Sequence, residues 1–245
     1  MFFKKISNFI LDLFFPKKCL GCGKNGTYIC QSCLDKIEIA KNNKCPFCEK
    51  ITPSGLICQK CREKYGLDRL IWAIPYFNPL IKNLIKNFKY NYVKELAVPL
   101  GQILIKSLKP FEFELSEENF IIAPIPLHRR RLRERDFNQA ELLGENVANY
   151  FSIPLENNVL KRKKFTPPQA KIKDYKTRKE NLKDIFEINP KFVKKCVDVN
   201  QNLLKDKIII LVDDVATTGA TLSEAAKVLK KAGAKEVWGL VVAKG

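Results

Sequence analysis

The stretch ILVDDVATTGATL, residues 210–222, combines two chemistries that conflict for a simple ligand. An apolar run typical of a buried strand ends in the adjacent acids Asp213 and Asp214. A turn rich in Thr and Gly then leads into a helix and offers backbone N–H groups to an anion. The turn comprises Ala216, Thr217, Thr218, Gly219, Ala220 and Thr221. Because carboxylates repel anions, the stretch predicts a ligand with both an anionic group and hydroxyl donors.

A ribose 5-phosphate carries both groups. Its phosphate would bind the turn, and its 2′ and 3′ hydroxyls would donate to Asp213 and Asp214. The alternative is an acidic helix cap without a ligand, since Asp is a favoured N-cap residue. Ligands of parallel α/β sheets bind beyond the carboxyl ends of the strands, where these acids are expected, and this favours the ligand site.

Eight of the nine cysteines form four CxxC pairs, and only Cys196 stands apart. The pairs are Cys19 with Cys22, Cys30 with Cys33, Cys45 with Cys48, and Cys58 with Cys61. Two such pairs complete the four-thiolate shell of a structural zinc site, so the sequence predicts two Zn²⁺ ions. A disulfide framework would require export, but Asp12 interrupts the N-terminal apolar run and no small-residue cleavage site follows.

The spacing leaves two ways to pair the CxxC motifs. Sequential pairing places the first two motifs on one ion and the last two on the other, whereas a cross-braced arrangement closes longer loops. Shorter loops cost less entropy to close, which favours sequential pairing. In either case both ions lie within residues 19–61.

Length and charge narrow the class of protein. A chain of 245 residues is consistent with one main domain and a smaller companion. The formal charge of +18 favours polyanionic partners such as phosphates or nucleic acid. No segment reaches the roughly 20 apolar residues of a membrane span, so we expect a cytoplasmic protein.

After residue 66 the pattern alternates between strands and helices. The strand-like segments are DRLIWAIPYF, FIIAPIP, NVLKRKKF, IIILV and EVWGLVVA. Helical spacing occurs in 78–108, 138–150 and about 221–231, and Gly233 follows the last of these. Apolar strands alternating with helices predict an α/β fold in which helices cover both faces of a parallel sheet.

The motifs resemble those of a known family. VDDVATTGAT is similar to the motif by which type I phosphoribosyltransferases bind 5-phosphoribosyl 1-diphosphate (PRPP). The CxxC module, PIPLHRRRLRERDFNQA, TPPQAKIKDYKTRKENLKDIF and this motif, in that order, resemble the ComF family of competence-related, phosphoribosyltransferase-like proteins. The resemblance covers nearly the whole chain. It implies a type I phosphoribosyltransferase-like domain at 67–245, preceded at 1–66 by a double zinc-ribbon domain with an N-terminal helix.

The resemblance also implies roles for individual residues. Asp213 and Asp214 would be the catalytic acids, and residues 216–221 would hold the 5′-phosphate. Leu127, His128 and Arg129 would bind pyrophosphate, His128 through its backbone, with charge from residues 129–131, Arg133 and Arg135. Thr166, Gln169, Arg178 and Asn181 match a spaced polar signature of the family, and the last three would belong to a flap over the reaction.

One position departs from the family pattern, because Asp136 replaces a glycine in RDFNQA. If the glycine serves by adopting a positive φ, Asp is among the residues that tolerate this conformation. If it serves by letting a phosphate approach, Asp136 would repel that phosphate.

Three functions are compatible with these motifs. The first is displacement at ribose C1 of PRPP by an unknown acceptor, with Mg²⁺ on the diphosphate and the zinc module beside the acceptor. The second is a regulator that binds PRPP or a nucleotide without turnover. The third is a factor that handles single-stranded DNA together with proteins of the competence machinery. Residues 129–195 contain 18 Lys and Arg against 9 Asp and Glu, which fits DNA as well as pyrophosphate.

Overall fold

The computed structural model describes residues 17–116, 119–166, 184–195 and 204–245. The strands are β1 Arg69–Pro75, β2 Phe120–Pro124, β3 Leu160–Arg162, β4 Phe186–Ile188, β5 Ile208–Ala216 and β6 Glu236–Lys244. The helices are α1 Gln31–Asp35, α2 Gln59–Tyr65, α3 Pro79–Tyr90, α4 Ala97–Leu108, α5 Glu112–Leu115, α6 Arg129–Arg135, α7 Gln139–Phe151, α8 Pro190–Lys195 and α9 Ala220–Lys231. Two 3-10 turns cover Lys94–Leu96 and Lys109–Phe111.

Four strands form a parallel sheet in the order β1-β6-β5-β2. In its centre Ile210 lies between Trp238 of β6 and Ile122 of β2. The predicted strand NVLKRKKF does not join this sheet, because β3 pairs with β4 in a separate antiparallel ribbon. A buried parallel sheet needs strands that are apolar on both faces, which the charged β3 does not provide.

Helices cover both faces of the sheet, as predicted. On one face Ile210 and Leu240 belong to a buried cluster with Leu104 of α4 and Leu143 of α7. On the other face Ile209 and Leu211 share a cluster with Leu222 and Leu229 of α9. Cys19 belongs to the first cluster and Cys45 to the second. The two cysteine-rich segments therefore pack against opposite faces of the sheet.

The ends of the helices follow local sequence signals. The Asn78 side chain accepts a hydrogen bond from the Ile81 N–H at the start of α3, and Asn138 accepts one from Ala140 at the start of α7. The predicted helices 138–150 and 221–231 correspond to α7 and α9. Gly233 follows α9 with a φ of 96°, as expected of a glycine after a helix.

Strand β5 continues beyond the position at which the sequence predicts its end. Asp213 pairs with Val241 of β6, and Val215 pairs with Ala243. The acids therefore lie within the last paired residues of the strand rather than beyond it. Within the described residues no helix is long and apolar enough to cross a membrane.

Candidate functional site

The cysteines form two clusters, each of which joins neighbouring CxxC pairs. Cys19, Cys22, Cys30 and Cys33 form the first cluster, and Cys45, Cys48, Cys58 and Cys61 form the second. Within each cluster the ligand atoms lie within 4.8 Å of one another. This confirms sequential pairing over the cross-braced alternative. Cys196 lies outside the described residues.

The sulfur positions fit tetrahedral zinc. Zn–S bonds of about 2.3 Å in a tetrahedron place the sulfurs about 3.8 Å apart. The Sγ atoms of Cys22 and Cys30 are 3.6 Å apart, and those of Cys48 and Cys58 are 3.5 Å apart. Four thiolates around each point form a closed set of soft ligands, so each cluster suits a structural Zn²⁺ without an open position for catalysis.

The second cluster supports the predicted phosphate turn. Phe47, between Cys45 and Cys48, stacks on Tyr65 of α2 with ring centroids 3.8 Å apart. A methyl group placed on Gly219 would lie only 2.7 Å from Cε1 of Phe47, and Gly219 has a φ of 72°. The turn therefore requires glycine both for its backbone conformation and for close packing against the zinc ribbon.

A cavity of about 520 Å³ lies at the carboxyl edge of the sheet. This volume is typical of small-molecule sites. The cavity is bounded by the ends of β1, β2 and β5, by α3, and by the start of α7. Its lining includes the cations Lys82, Lys86, Lys89, Arg131, Arg135 and Arg162, the acids Asp213 and Asp214, and the polar residues Tyr76, Asn138, Gln139, Thr166, Thr217 and Thr221. The cavity can therefore neutralise a multiply charged anion.

The two acids occupy different environments. Asp214 is 4% exposed, and its Oδ1 lies 2.7 Å from Nζ of Lys89 on α3. Lys89 acts on Asp213 only as a more distant positive charge. The Oδ1 atom of Asp213 accepts a hydrogen bond from the Asp214 N–H. Burial, together with the charge of Asp214, raises the pKa of Asp213 to about 7. Asp213 is therefore the acid with capacity for a ligand, whereas Asp214 is held by Lys89.

Three arginines gather on the β2 side of the cavity. Arg131 donates to the Thr166 carbonyl over 2.7 Å, and Arg162 donates to the Thr166 hydroxyl over 2.6 Å. Arg135 donates to Gln139 over 3.0 Å. Burial and the charge of Arg131 lower the pKa of Arg162 to about 10. The cluster of Arg131, Arg135 and Arg162 is thus a concentration of positive charge that a bound anion would relieve.

Two buried donors beside this cluster lack partners among the described residues. They are Nε of Arg162 and Nε2 of Gln139. Buried polar groups in native proteins are nearly always hydrogen-bonded, and leaving one without a partner costs about 1–3 kcal/mol. Both donors belong to residues that line the cavity.

Two domain families match parts of the chain. Residues 10–62 match the double zinc ribbon domain, and residues 138–244 match the phosphoribosyl transferase domain. Competence protein F of Haemophilus influenzae is 31% identical over 232 residues, which cover 86% of this chain and 95% of that protein. The chain belongs to the ComF family. Competence protein ComFC of Streptococcus pneumoniae is 29% identical over 90% of this chain and 96% of that protein. DNA utilization protein YhgH of Escherichia coli is 26% identical over 86% of this chain and 88% of that protein.

The fold of this ComF-family protein is therefore the type I phosphoribosyltransferase-like sheet with an N-terminal double zinc ribbon, as the sequence predicts. The predicted boundary between residues 66 and 67 falls between α2 and β1. The predicted flap residues Gln169, Arg178 and Asn181 lie outside the described residues.

The structure divides the residues predicted to bind pyrophosphate. Leu127 lines the main cavity, whereas His128 and Arg129 line a shallow depression elsewhere on α6. His128 caps α6, since its Nδ1 accepts from the Arg130 N–H. Phe165 is 40% exposed and packs against His128 with ring centroids 5.5 Å apart.

The predicted phosphate turn is only partly open to the cavity. Thr217 and Thr221 line it, while Gly219 packs against Phe47. The Thr218 hydroxyl accepts from the Ala220 N–H at 3.4 Å. A valine at Gly219 would therefore disturb the zinc ribbon before it reached a phosphate.

The structure resolves the question raised by Asp136. This residue has a φ of 62° and ends α6 in the left-handed conformation. Its carboxylate lies 2.8 Å from Nζ of Lys94, is 88% exposed, and does not line the cavity. A glycine is therefore useful here for its backbone conformation, and Asp136 adopts that conformation with its carboxylate outside the cavity.

Lys89 and Arg162 are among the cavity residues that sequence reasoning missed. Lys89 sits in a helical run of alternating Lys and Asn, where nothing distinguishes it from exposed neighbours. Arg162 belongs to a basic run that is typical of a solvated surface, yet its side chain enters the cavity. Recognising that β3 pairs with β4 could have suggested which way the Arg162 side chain points, since alternate residues of a strand point to opposite faces.

Proposed function

We propose that this ComF-family protein binds PRPP with Mg²⁺ and transfers its phosphoribosyl group to an acceptor. One observation carries the proposal: a single cavity contains an acid available for hydroxyls, a helix-capping turn and a cluster of three arginines. Ribose hydroxyls, 5′-phosphate and diphosphate match these three features in turn. The ComF relationship and the phosphoribosyl transferase domain match support the same function.

The reaction is displacement at ribose C1. The acceptor's nucleophilic atom bonds to C1, the C1–O bond to the diphosphate breaks, and pyrophosphate leaves with the electron pair while the acceptor's proton passes to solvent. Positive charge develops on the ribosyl group and negative charge on the leaving group. The cluster of Arg131, Arg135 and Arg162 would stabilise the leaving pyrophosphate, and Asp213 would orient the ribose.

Magnesium would enter with the diphosphate rather than occupy a protein cage. The acids of the cavity are Asp213 and Asp214, and Asp214 is already paired with Lys89. Because Mg²⁺ retains several waters and needs few protein ligands, this donor set is sufficient. When bound, Mg²⁺ would supply neutralisation of the diphosphate charge.

The decisive test is release of pyrophosphate from PRPP and Mg²⁺ across a panel of acceptors that includes single-stranded DNA. Turnover that an acceptor stimulates and that Asp213→Asn reduces at least about tenfold at subsaturating PRPP is the expected result. Saturable PRPP binding without pyrophosphate release from any acceptor would instead support the regulator without turnover.

Arginine variants test which residues hold the diphosphate. Arg162→Gln and Arg131→Gln should each weaken PRPP binding at least about tenfold, since each removes a charge-assisted hydrogen bond. Their affinity for ribose 5-phosphate, which has no diphosphate, should stay within about twofold. Arg129→Gln is the matched control, because Arg129 is exposed on the same helix outside the cavity. Calorimetry with both ligands measures this difference, and equal losses for PRPP and ribose 5-phosphate would contradict the assignment.

Handling of single-stranded DNA is the second candidate function, favoured by the basic β3 segment and by the relatives' names. Lys161 and Lys163 lie 3.2 and 3.7 Å from the carboxylate of Glu187, which offsets part of their charge. Arg162 belongs to the cavity and should be left intact in this test.

The lysines of the basic run 161–164 provide a separate test for DNA. Replacing Lys161, Lys163 and Lys164 by Ala should flatten the salt dependence of single-stranded DNA binding by up to about two units, at about 0.7 per phosphate contact. PRPP binding should not change. Fluorescence anisotropy at several salt concentrations provides the slope, and an unaltered slope would show that this segment does not contact DNA.

A further inference from the structure

Helix α3 crosses the cavity from one side of the sheet to the other. It begins at Pro79, shortly after β1 ends at Pro75. Near its end Lys89 contacts Asp214 of β5, and the ring of Tyr90 lies 5.6 Å from the Arg135 guanidinium on the β2 side. Positions early in α3 therefore lie on the β1 side of the cavity, away from the arginine cluster.

The early part of α3 places two lysines on this β1 side. Lys82 and Lys86 are one turn apart, have exposed side chains and line the cavity. Like charges at this spacing repel each other. Within the described residues neither has an ion pair, in contrast to Lys89 and its 2.7 Å contact with Asp214. Tyr76, immediately after β1, lines the same end of the cavity.

The proposed PRPP site leaves these lysines without a role. In the proposed site the arginine cluster would face the diphosphate and Thr217 and Thr221 would face the 5′-phosphate, while Lys89 is neutralised by Asp214. An acceptor must approach C1 from the side opposite the leaving diphosphate, which is the side of β1. Two ammonium groups at that end would attract an acceptor with negative charge and would disfavour a cationic one.

We propose that the acceptor is a small anionic molecule whose carboxylate binds Lys82 and Lys86. This inference rests on the proposed transfer reaction and specifies its substrate class. The carboxylate accepts hydrogen bonds from the two ammonium groups, and the molecule's nucleophilic atom then faces ribose C1. The displacement is the one described above, with pyrophosphate as the leaving group.

Matched nucleotides test this without knowledge of the acceptor. Nicotinate mononucleotide and nicotinamide mononucleotide differ by a carboxylate in place of an amide, and orotidine and uridine 5′-monophosphates differ by one carboxylate. All four present ribose 5-phosphate to the same site. In at least one pair the carboxylate member should bind about tenfold more tightly, as expected of charge-assisted hydrogen bonds.

Variants identify the residues responsible. The double variant Lys82→Gln, Lys86→Gln should lose the preference for the carboxylate while its affinity for the neutral member stays within about twofold. Lys106→Gln serves as the control, because Lys106 lies on α4 beside Asp35 and does not line the cavity.

The outcomes separate this inference from the proposed function. If none of the four nucleotides binds the parent protein, the ribose phosphate site itself is wrong. If both members of each pair bind equally, the ribose phosphate site stands and the anionic acceptor is refuted. A preference that survives in the double variant would assign the carboxylate to other residues and would also overturn the inference.

Discussion

A Cys48→Ser variant should lose one of two zinc ions and most of its affinity for ribose 5-phosphate, whereas Cys22→Ser should lose one zinc ion and keep that affinity. The two residues are equally suitable for comparison, since both are exposed members of their clusters. Only the second cluster holds Phe47 against Gly219. Structural zinc stabilises its ribbon by about 10–16 kcal/mol, so loss of the ion removes the support of the turn.

Elemental analysis and calorimetry on the same samples test this prediction. The parent should contain two zinc ions per chain. Phe47→Ala is the complementary variant, because it should retain both zinc ions. It should still weaken the binding of ribose 5-phosphate by about tenfold through loss of packing behind the turn. If Cys48→Ser lost its zinc but bound the ligand as tightly as the parent, the turn would be independent of the ribbon.

Asp213→Asn should weaken the binding of PRPP at least about tenfold. The change keeps the side-chain shape but replaces a charged acceptor by a neutral one, which costs about 1.5–3 kcal/mol for each charge-assisted hydrogen bond lost. Inorganic phosphate makes no ribose contact and experiences the acid only as a repulsive charge. The affinity of the variant for inorganic phosphate should therefore stay unchanged or increase. Calorimetry with both ligands is the measurement, and a variant with parental PRPP affinity would make Asp213 a structural residue.

Asp214→Asn is a less direct test because Lys89 depends on Asp214. Removing one member of a buried ion pair costs about 3–5 kcal/mol, so this variant should lose stability towards urea as well as ligand affinity. Replacing both residues, as Asp214→Asn with Lys89→Met, should restore much of the stability. Comparison of the two variants separates the effect on folding from the effect on binding.

The raised pKa of Asp213 also predicts a pH dependence. Between the ordinary value of 3.8 and about 7, the folded protein binds more protons at this residue than the unfolded chain. The contribution of Asp213 to stability therefore falls as the pH rises through this window and is constant above it. Asp213→Asn should gain stability relative to the parent over the same range in urea titrations. Because ribose hydroxyls favour the ionised acid, PRPP should bind the parent more tightly as the pH rises through about 7.

Local sequence patterns predicted the parts of this protein that depend on short-range chemistry. The CxxC spacing predicted both cysteine clusters because each closes within a few residues. The apolar run before Asp213 and the Thr- and Gly-rich turn predicted a strand, acids and helix in the correct order. In both cases the residues that form the feature are neighbours in the chain.

The residues that sequence reasoning missed act over longer distances. Lys89 meets Asp214 only because α3 folds back over the sheet, and Phe47 meets Gly219 only because the second ribbon packs against α9. Neither partner can be identified without tertiary structure. Arg162 was not distinguished within the basic stretch 129–195, because composition does not reveal which member of a basic run points inward.

The position of β1 in the sheet bears on how the chain folds. β1 pairs with β6, and the Asp68 carboxylate accepts a hydrogen bond from the Val237 N–H, 169 residues further along the chain. Contacts so distant in sequence form slowly. During synthesis at roughly 5–20 residues per second, the cysteine clusters can close many seconds before β1 finds its partner. The ribbons would then be the first native element on the ribosome, and the exposed strand edge of β1 would be open to pairing with another chain until β6 arrives.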